Sequence, residues 1–132
     1  MTTELQNYTL AKSLTELAEK IHYNISENGF WELRHLIGRS LRNEDKAIVE
    51  DALKSQKLAL IHSEVSEVLE ALRIGNPPDE KLPQYSAEAV ELADVLIRLL
   101  DYAGAYNIPI GDILIEKTKF NTQRERKHGK RF

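Results

Sequence analysis

The chain has 132 residues, a net charge of −3 and no cysteine. This length suits one ordinary domain, and the lack of cysteine excludes disulfides and thiolate metal sites. No apolar run approaches the ~20 residues of a membrane span, and the opening Met1-Thr-Thr-Glu-Leu lacks the layout of a secretion signal. We therefore expect a cytoplasmic protein that does not enter a membrane.

The first two predicted elements are helices. Thr9 is expected to cap the first, and Asn28-Gly29 to end it. A shorter helix is predicted over residues 31–42. The inward positions of the first helix recur with helical spacing, and they are Leu10, Leu14, Leu17, Ala18, Ile21 and Ile25. Those of the second are Leu33, Leu36, Ile37 and Leu41.

A longer helix is predicted from Asn43, as its cap, to Gly75. Asn76-Pro77-Pro78 follows, within a polar loop over residues 76–85 that holds three prolines. Proline and glycine at these points are strong helix-ending signals. The third helix is therefore the longest that the sequence predicts.

Ser86 is expected to start a helix that reaches about Tyr106, before Asn107-Ile108-Pro109 breaks it. A last helix is predicted from about Ile110 to Arg126, with a basic tail from about residue 127. Four main helices with short joints predict a single all-α domain over residues 1–132 with a four-helix-bundle-type core.

Two helices carry acidic residues at i, i+3 spacing: Glu64-x-x-Glu67-x-x-Glu70 and Glu88-x-x-Glu91-x-x-Asp94. Such spacing places neighbours on one helical face, and a hard divalent cation prefers carboxylate oxygens. The competing interpretation is a solvated acidic face, which is the commoner meaning of an isolated Glu-x-x-Glu.

A helical projection separates the two interpretations for the third helix. Glu64 and Glu67 fall within its apolar arc, where an uncompensated charge is costly, while Glu70 projects away. Glu91 and Asp94 lie nearer the border of their apolar half, and their helix is equally compatible with a wet surface. The arc of the third helix consists of Leu58, Ile61, Val65, Val68, Leu69 and Leu72.

Polar residues interrupt the apolar stripe of the last helix. Lys117, Asn121 and Arg124 project into the stripe that Ile110, Ile113, Leu114 and Phe120 define. They would form either a structural ion-pair network with the carboxylates or a set of phosphate contacts. Residues 117–131 together carry +6, so the rest of the chain carries −9.

Four segments, in matched order and spacing, resemble the MazG-like nucleotide pyrophosphohydrolases. Residues 58–73 resemble the first metal-binding helix of that family, and residues 91–98 its second, Glu-x-x-Asp helix. Residues 115–124 with 128–130 resemble its C-terminal signature, and residues 21–24 with 28–31 its N-terminal segment. The tandem Glu-Glu of MazG itself is Ser63-Glu64 here, which is closer to the short MazG-like and dCTP-pyrophosphatase branches.

The resemblance implies an all-α NTP pyrophosphatase. Such enzymes hydrolyse (deoxy)nucleoside triphosphates between the α and β phosphates, with Mg²⁺ or, as a substitute, Mn²⁺, and serve nucleotide-pool housecleaning. It implies homodimers or homotetramers in which neighbouring subunits complete each site. The implied Mg²⁺ ligands are Glu64, Glu67, Glu91 and Asp94, and the implied phosphate contacts are Lys117, Asn121 and Arg124. The general base is unassigned among the carboxylates.

Four further features are of interest for the site, and some of them have two interpretations. Trp31 either stacks on a base or anchors the core, and His22 and His128 are candidate substrate contacts. The segment from His128 either closes over phosphates or is a disordered end. Asp101 is expected to pair with Arg98 or with another subunit.

Two rival functions remain open. A di-iron carboxylate bundle would use Glu19-x-x-His22 and Glu32-x-x-His35, but three of these side chains project away from the apolar stripes. A non-enzymatic helical dimerisation module would bind nucleic acid through its basic tail. That module leaves Glu64 and Glu67 without a purpose, so we expect a nucleotide substrate and no nucleic-acid partner.

Overall fold

The computed structural model describes residues 3–124, and this part of the chain is all-α, as predicted. It contains five helices, which are α1 (Thr3–Glu27), α2 (Glu32–Ser40), α3 (Asn43–Arg73), α4 (Ala87–Ala105) and α5 (Ile110–Thr122). The most extensive contact joins α3 to α4, and α1 packs on both α4 and α5. The short α2 packs on α3.

The helix ends test the predicted caps. The Ser86 hydroxyl accepts a hydrogen bond from the Ala89 amide, which confirms the predicted start of α4. Thr9 was the wrong cap, because α1 already begins at Thr3 and the Thr9 hydroxyl donates to the Leu5 carbonyl inside the helix. Asn43 is likewise the first residue of α3 and makes no capping bond.

The loop between α3 and α4 holds these two helices in register. Gly75 and Asn76 have φ angles of 93° and 51°, so they occupy the left-handed region that ends a helix. The Asn76 side chain then accepts from the Glu88 amide at 2.9 Å and donates to the Glu88 carboxylate at 3.0 Å. One asparagine therefore links the end of α3 to the first turn of α4.

The core consists of two small clusters. Ala18, Leu100 and Ala103 form the first, between α1 and α4. Gly104 allows these helices to approach closely, because an added Cβ would lie 2.5 Å from the Ala18 carbonyl oxygen. The second cluster contains Trp31, Leu53 and Ala105.

Much of the apolar surface predicted to face inward is exposed in the single chain. On α1 and α2 the predicted inward positions Ala18 and Ile37 are buried, and so is Ala11, which was not predicted. Four of the leucines predicted to face inward are 45–62% exposed instead, namely Leu10, Leu17, Leu33 and Leu36. On α3 and α4, seven large aliphatic side chains are 46–58% exposed: Leu58, Val65, Leu69, Leu72, Leu92, Leu96 and Leu99. The reason is that α3 and α4 pack through the faces that carry Glu64 and Asp94, and other apolar faces remain uncovered.

Residues 3–124 include no helix with the length and apolar character that crossing a bilayer requires.

Candidate functional site

Three carboxylates meet where α3 packs on α4. Glu64 of α3, with Glu91 and Asp94 of α4, each offers one oxygen, and these atoms lie within 4.8 Å of one another. We call these three residues the acidic triad. In the described part of the chain it is the only group of three or more metal-ligating side chains.

The electrostatics of the acidic triad favour a cation. Burial raises the pKa of Glu91, and the nearby charges of Asp94, Glu64 and Glu67 raise it further. Among the hydrogen bonds formed within residues 3–124, none reaches the Glu91 or Asp94 carboxylate. Three carboxylates with no nitrogen or sulfur ligand suit a hard cation such as Mg²⁺.

Glu67 is the predicted metal ligand that the structure does not bring into the triad. Its side chain is exposed, whereas the Glu64 side chain is only 14% exposed. The projection placed both residues inward, but the contact between α3 and α4 covers Glu64 alone. The charge of Glu67 nevertheless reaches Glu91, since it contributes to the raised pKa there.

A cavity of about 250 Å³ adjoins the acidic triad and shares Glu64 and Asp94 with it. Phe30 is 65% exposed and contributes an aromatic ring to its wall. Its other lining residues combine aliphatic side chains with two cations and a buried acid: Ile25, Lys57, Leu60, Ile97, Arg98 and Asp101. Four of the nine lining residues are apolar or aromatic and five are charged, so the cavity suits a small ligand that has both an apolar and a charged part.

Asp101, in the wall of the cavity, accepts hydrogen bonds from two aromatic side chains. It accepts from the Trp31 indole at 2.9 and 3.1 Å and from His22 Nδ1 at 2.8 Å, and it is only 6% exposed. Neither predicted partner of Asp101, Arg98 or another subunit, is needed to satisfy it. Trp31 is 2% exposed, so the core-anchor interpretation describes its place in the single chain. His22 packs edge-on against the Trp31 ring, at 5.1 Å between centroids.

Lys57 covers the Trp31 ring and borders the cavity. Its Nζ lies 4.2 Å from the ring centroid and donates to the Phe30 carbonyl at 2.7 Å. Burial lowers the pKa of Lys57, while the charge of Asp101 raises it and that of Arg98 lowers it. The pKa of Lys57 is therefore affected by two neighbouring regions. One is the cavity wall, through Arg98, and the other is the group of Asp101, Trp31 and His22, which we call the Asp101 cluster.

The predicted phosphate contacts lie away from the acidic triad of their own chain. Lys117 and Asn121 are exposed on α5, which packs mainly on α1 and ends at Thr122, before the position predicted for its end. Arg124 is exposed just after this helix. The Lys117 Nζ and the Arg124 guanidinium approach the Phe120 ring at 5.1 and 5.6 Å. His128 and the basic tail lie outside the described residues.

The Glu-x-x-His pairs do not form a metal group in the described chain. Glu19, Glu32 and His35 are exposed, and His22 binds Asp101 instead. This arrangement gives the di-iron interpretation no support within residues 3–124.

Sequence reasoning missed three residues at the site: Phe30, Lys57 and Arg98. Arg98 had a readable signal, because it follows Glu91 by seven residues and Asp94 by four and so shares their helical face. No comparable signal marks Phe30 or Lys57, whose positions depend on how the α1–α2 turn packs on α3.

Comparison with known proteins finds no match: no family model fits the chain, and no curated protein and no solved structure is significantly similar to it.

Proposed function

We propose that this protein is a Mg²⁺-dependent nucleoside triphosphate pyrophosphohydrolase, cutting between the α and β phosphates. The observation that carries the proposal is the acidic triad, which meets across two helices without a hydrogen-bond donor for Glu91 or Asp94. The adjoining cavity supports it, because the exposed Phe30 ring in its wall offers a face on which a base can stack. The sequence resemblance supplies the reaction class and the expected role in nucleotide-pool housecleaning.

In this mechanism Glu64, Glu91 and Asp94 would hold Mg²⁺, and Glu67 would supply the further carboxylate that the resemblance assigns to the site. Bound Mg²⁺ would neutralise phosphate charge and lower the pKa of a bound water. A carboxylate that is not engaged in ligation accepts the proton of the attacking water. The cavity beside Asp94 orients the nucleoside, so that the phosphates extend toward the carboxylates.

The test is pyrophosphate release from a panel of nucleoside triphosphates with Mg²⁺. We expect release by the wild type and a loss of about a hundredfold or more in Glu91→Gln, since a metal ion contributes several kcal/mol to such a transition state. Glu70→Gln is the matched control, because Glu70 lies on α3, is 54% exposed and pairs with Arg73. Tight binding of duplex DNA without hydrolysis of any nucleotide would favour the non-enzymatic module instead.

We further propose that a second copy of the chain completes the site. Within residues 3–124 α5 packs mainly on α1 and has no extensive contact with α3 or α4, so we infer that Lys117, Asn121 and Arg124 reach phosphates at a neighbour's triad. The exposed aliphatic side chains of α3 and α4 offer that neighbour an apolar surface. A homo-oligomer would therefore cover this surface and bring in the missing positive charge.

Mixing two inactive variants tests the shared site. Asp94→Asn breaks the triad, and Arg124→Met removes a phosphate contact while sparing the triad. If sites form between copies, a refolded equal mixture recovers about a quarter of wild-type activity, because a symmetric heterodimer keeps one intact site. No recovery in the mixture, with each variant still oligomeric by sedimentation, would place the whole site within one chain.

A further inference from the structure

Arg98 is the one cation that pairs with the acidic triad among the described residues. Its Nε donates to Glu64 Oε1, with the arginine side chain 37% exposed and the glutamate side chain 14% exposed. Arg98 follows Asp94 by one turn of α4, and it also borders the cavity. Its guanidinium therefore contacts the triad at Glu64 and borders the same cavity as Glu64 and Asp94.

The position of Arg98 has opposite consequences for the two states of the site. Without a metal ion, three close carboxylates repel one another, and the guanidinium offsets part of that repulsion. A divalent cation would need the same Glu64 oxygen, and a positive charge beside it disfavours its binding. The Arg98 guanidinium thus stabilises the metal-free protein and lowers the affinity of the triad for a metal ion.

We propose that Arg98 is an internal counter-ion of the acidic triad, displaced from Glu64 when a divalent cation binds and then available to an anionic group in the cavity. This inference rests on the proposed metal site. A guanidinium fork suits phosphate oxygens, so the displaced Arg98 links cation binding to binding of a phosphate chain. The coupling is reciprocal: a polyphosphate that draws Arg98 away also tightens cation binding.

The experiment measures Mn²⁺ affinity in nucleotide-free protein by electron paramagnetic resonance. We expect Arg98→Met to bind Mn²⁺ about three- to tenfold more tightly than the wild type, because a nearby positive charge has been removed at an intermediate dielectric. Arg98→Lys keeps the charge and should stay close to the wild type. Arg73→Met is the matched control, since Arg73 also pairs with a glutamate of α3, at 3.4 Å from Glu70, but away from the triad.

Two further measurements separate a counter-ion from a residue that only positions Glu64. Inorganic tripolyphosphate should tighten Mn²⁺ binding in the wild type and much less in Arg98→Met. Without metal, Arg98→Met should melt at a lower temperature, and Mn²⁺ should raise its melting temperature more than that of the wild type. Should Arg98→Met fail to fold, Arg98→Gln is measured in its place.

The outcomes distinguish this inference from the proposed function. Weaker or equal Mn²⁺ binding by Arg98→Met, with normal binding by the wild type, overturns the counter-ion and leaves the metal site standing. Absence of Mn²⁺ binding in the wild type and in Arg98→Met removes the metal site, and the inference with it. Binding that appears only in Arg98→Met would support the counter-ion in its strongest form.

Discussion

Two aspartates lie seven residues apart on α4 and have opposite surroundings. Asp101 is 6% exposed, and donors from Trp31 and His22 satisfy its carboxylate. Asp94 faces Glu64 and Glu91 with oxygens within 4.8 Å, and no donor from residues 3–124 reaches it. One helix therefore presents a satisfied carboxylate and an unsatisfied one at nearly the same angular position.

This contrast shows that hydrogen-bond donors, rather than burial, distinguish a structural carboxylate from a candidate metal ligand. A buried carboxylate with hydrogen-bond donors is part of the scaffold, and its loss leaves those donors without an acceptor. A carboxylate surrounded by other acids gains from a cation and little from the protein. The contrast predicts that Asp94 serves activity and Asp101 serves the fold.

The largest expected effect is on activity. Asp94→Asn should lower pyrophosphate release about a hundredfold or more, because the proposed metal ion would lose a negatively charged ligand. The melting temperature of the metal-free protein should not fall, since replacing an acid in the triad relieves repulsion. The control is Asp51→Asn, at an exposed position of α3. Full activity in Asp94→Asn would contradict the metal site.

The next effect is on stability. Asp101→Asn should lower the free energy of unfolding by about 2 kcal/mol, because an amide nitrogen would then face one of two donors in a buried place. Thermal unfolding should show a fall of roughly 5 °C for a domain of this size. The indole resonance of Trp31, the only tryptophan, should shift with it. Wild-type stability in Asp101→Asn would mean that its hydrogen bonds carry little weight.

The helices could be predicted from the sequence because several of their ends carry residues that typically start or stop a helix. Gly75 and the prolines after it end α3, and Ser86 begins α4 as predicted. The start of α1 was misplaced because Thr9 has the chemistry of a cap, while the residues between Met1 and Leu5 are all polar and do not signal the earlier turns. A side chain able to cap can equally donate to the preceding turn of its own helix, as Thr9 does.

The site was less predictable because periodicity identifies a helical face but not what packs on it. The projection found Glu64, yet it placed the exposed Glu67 and Val65 on the same inward arc. A helix that is apolar over a wide arc can pack on more than one neighbour. The sequence of one chain does not show which face packs on another helix of the same chain and which packs on a second copy. One expected partner of Asp101 was Arg98, whereas Trp31 and His22 bind it, for a related reason. Its partner Trp31 lies seventy residues earlier in the chain.

A smaller effect on stability tests how much the close approach of the triad carboxylates destabilises the metal-free protein. The pKa of Glu91 is raised above its ordinary value of 4.5 by burial and by neighbouring acids. Above that pH the unfolded chain releases its proton more readily than the folded one, so stability falls as the pH rises through the window up to the raised pKa. Glu91→Gln removes this loss and should raise the melting temperature of the metal-free protein by about 1–3 °C at pH 7.

The pH profile provides the control for that prediction. At pH 4 both states of the wild type hold the proton, so Glu91→Gln and the wild type should melt together there. Glu70→Gln, at an exposed position of the same region, should show no such pH-dependent gain. A gain in Glu91→Gln that persists at pH 4 would point to packing rather than to charge.

The smallest effect concerns Lys57, which lies between the two regions. Its Nζ contacts the Trp31 ring at 4.2 Å, and its pKa is lowered by burial, raised by Asp101 and lowered by Arg98. Lys57→Met loses a cation–π contact of about 0.5 kcal/mol and the hydrogen bond to the Phe30 carbonyl. Because it also removes a desolvated charge, the net change in stability should be no more than about 0.5 kcal/mol. The change should instead appear in Trp31 fluorescence.

The control is Lys54→Met. The Lys54 ammonium lies over the Tyr106 ring at 4.8 Å, so this variant should leave the Trp31 emission unaltered. A large loss of stability in Lys57→Met would show that the cavity wall and the Asp101 cluster form one structural unit.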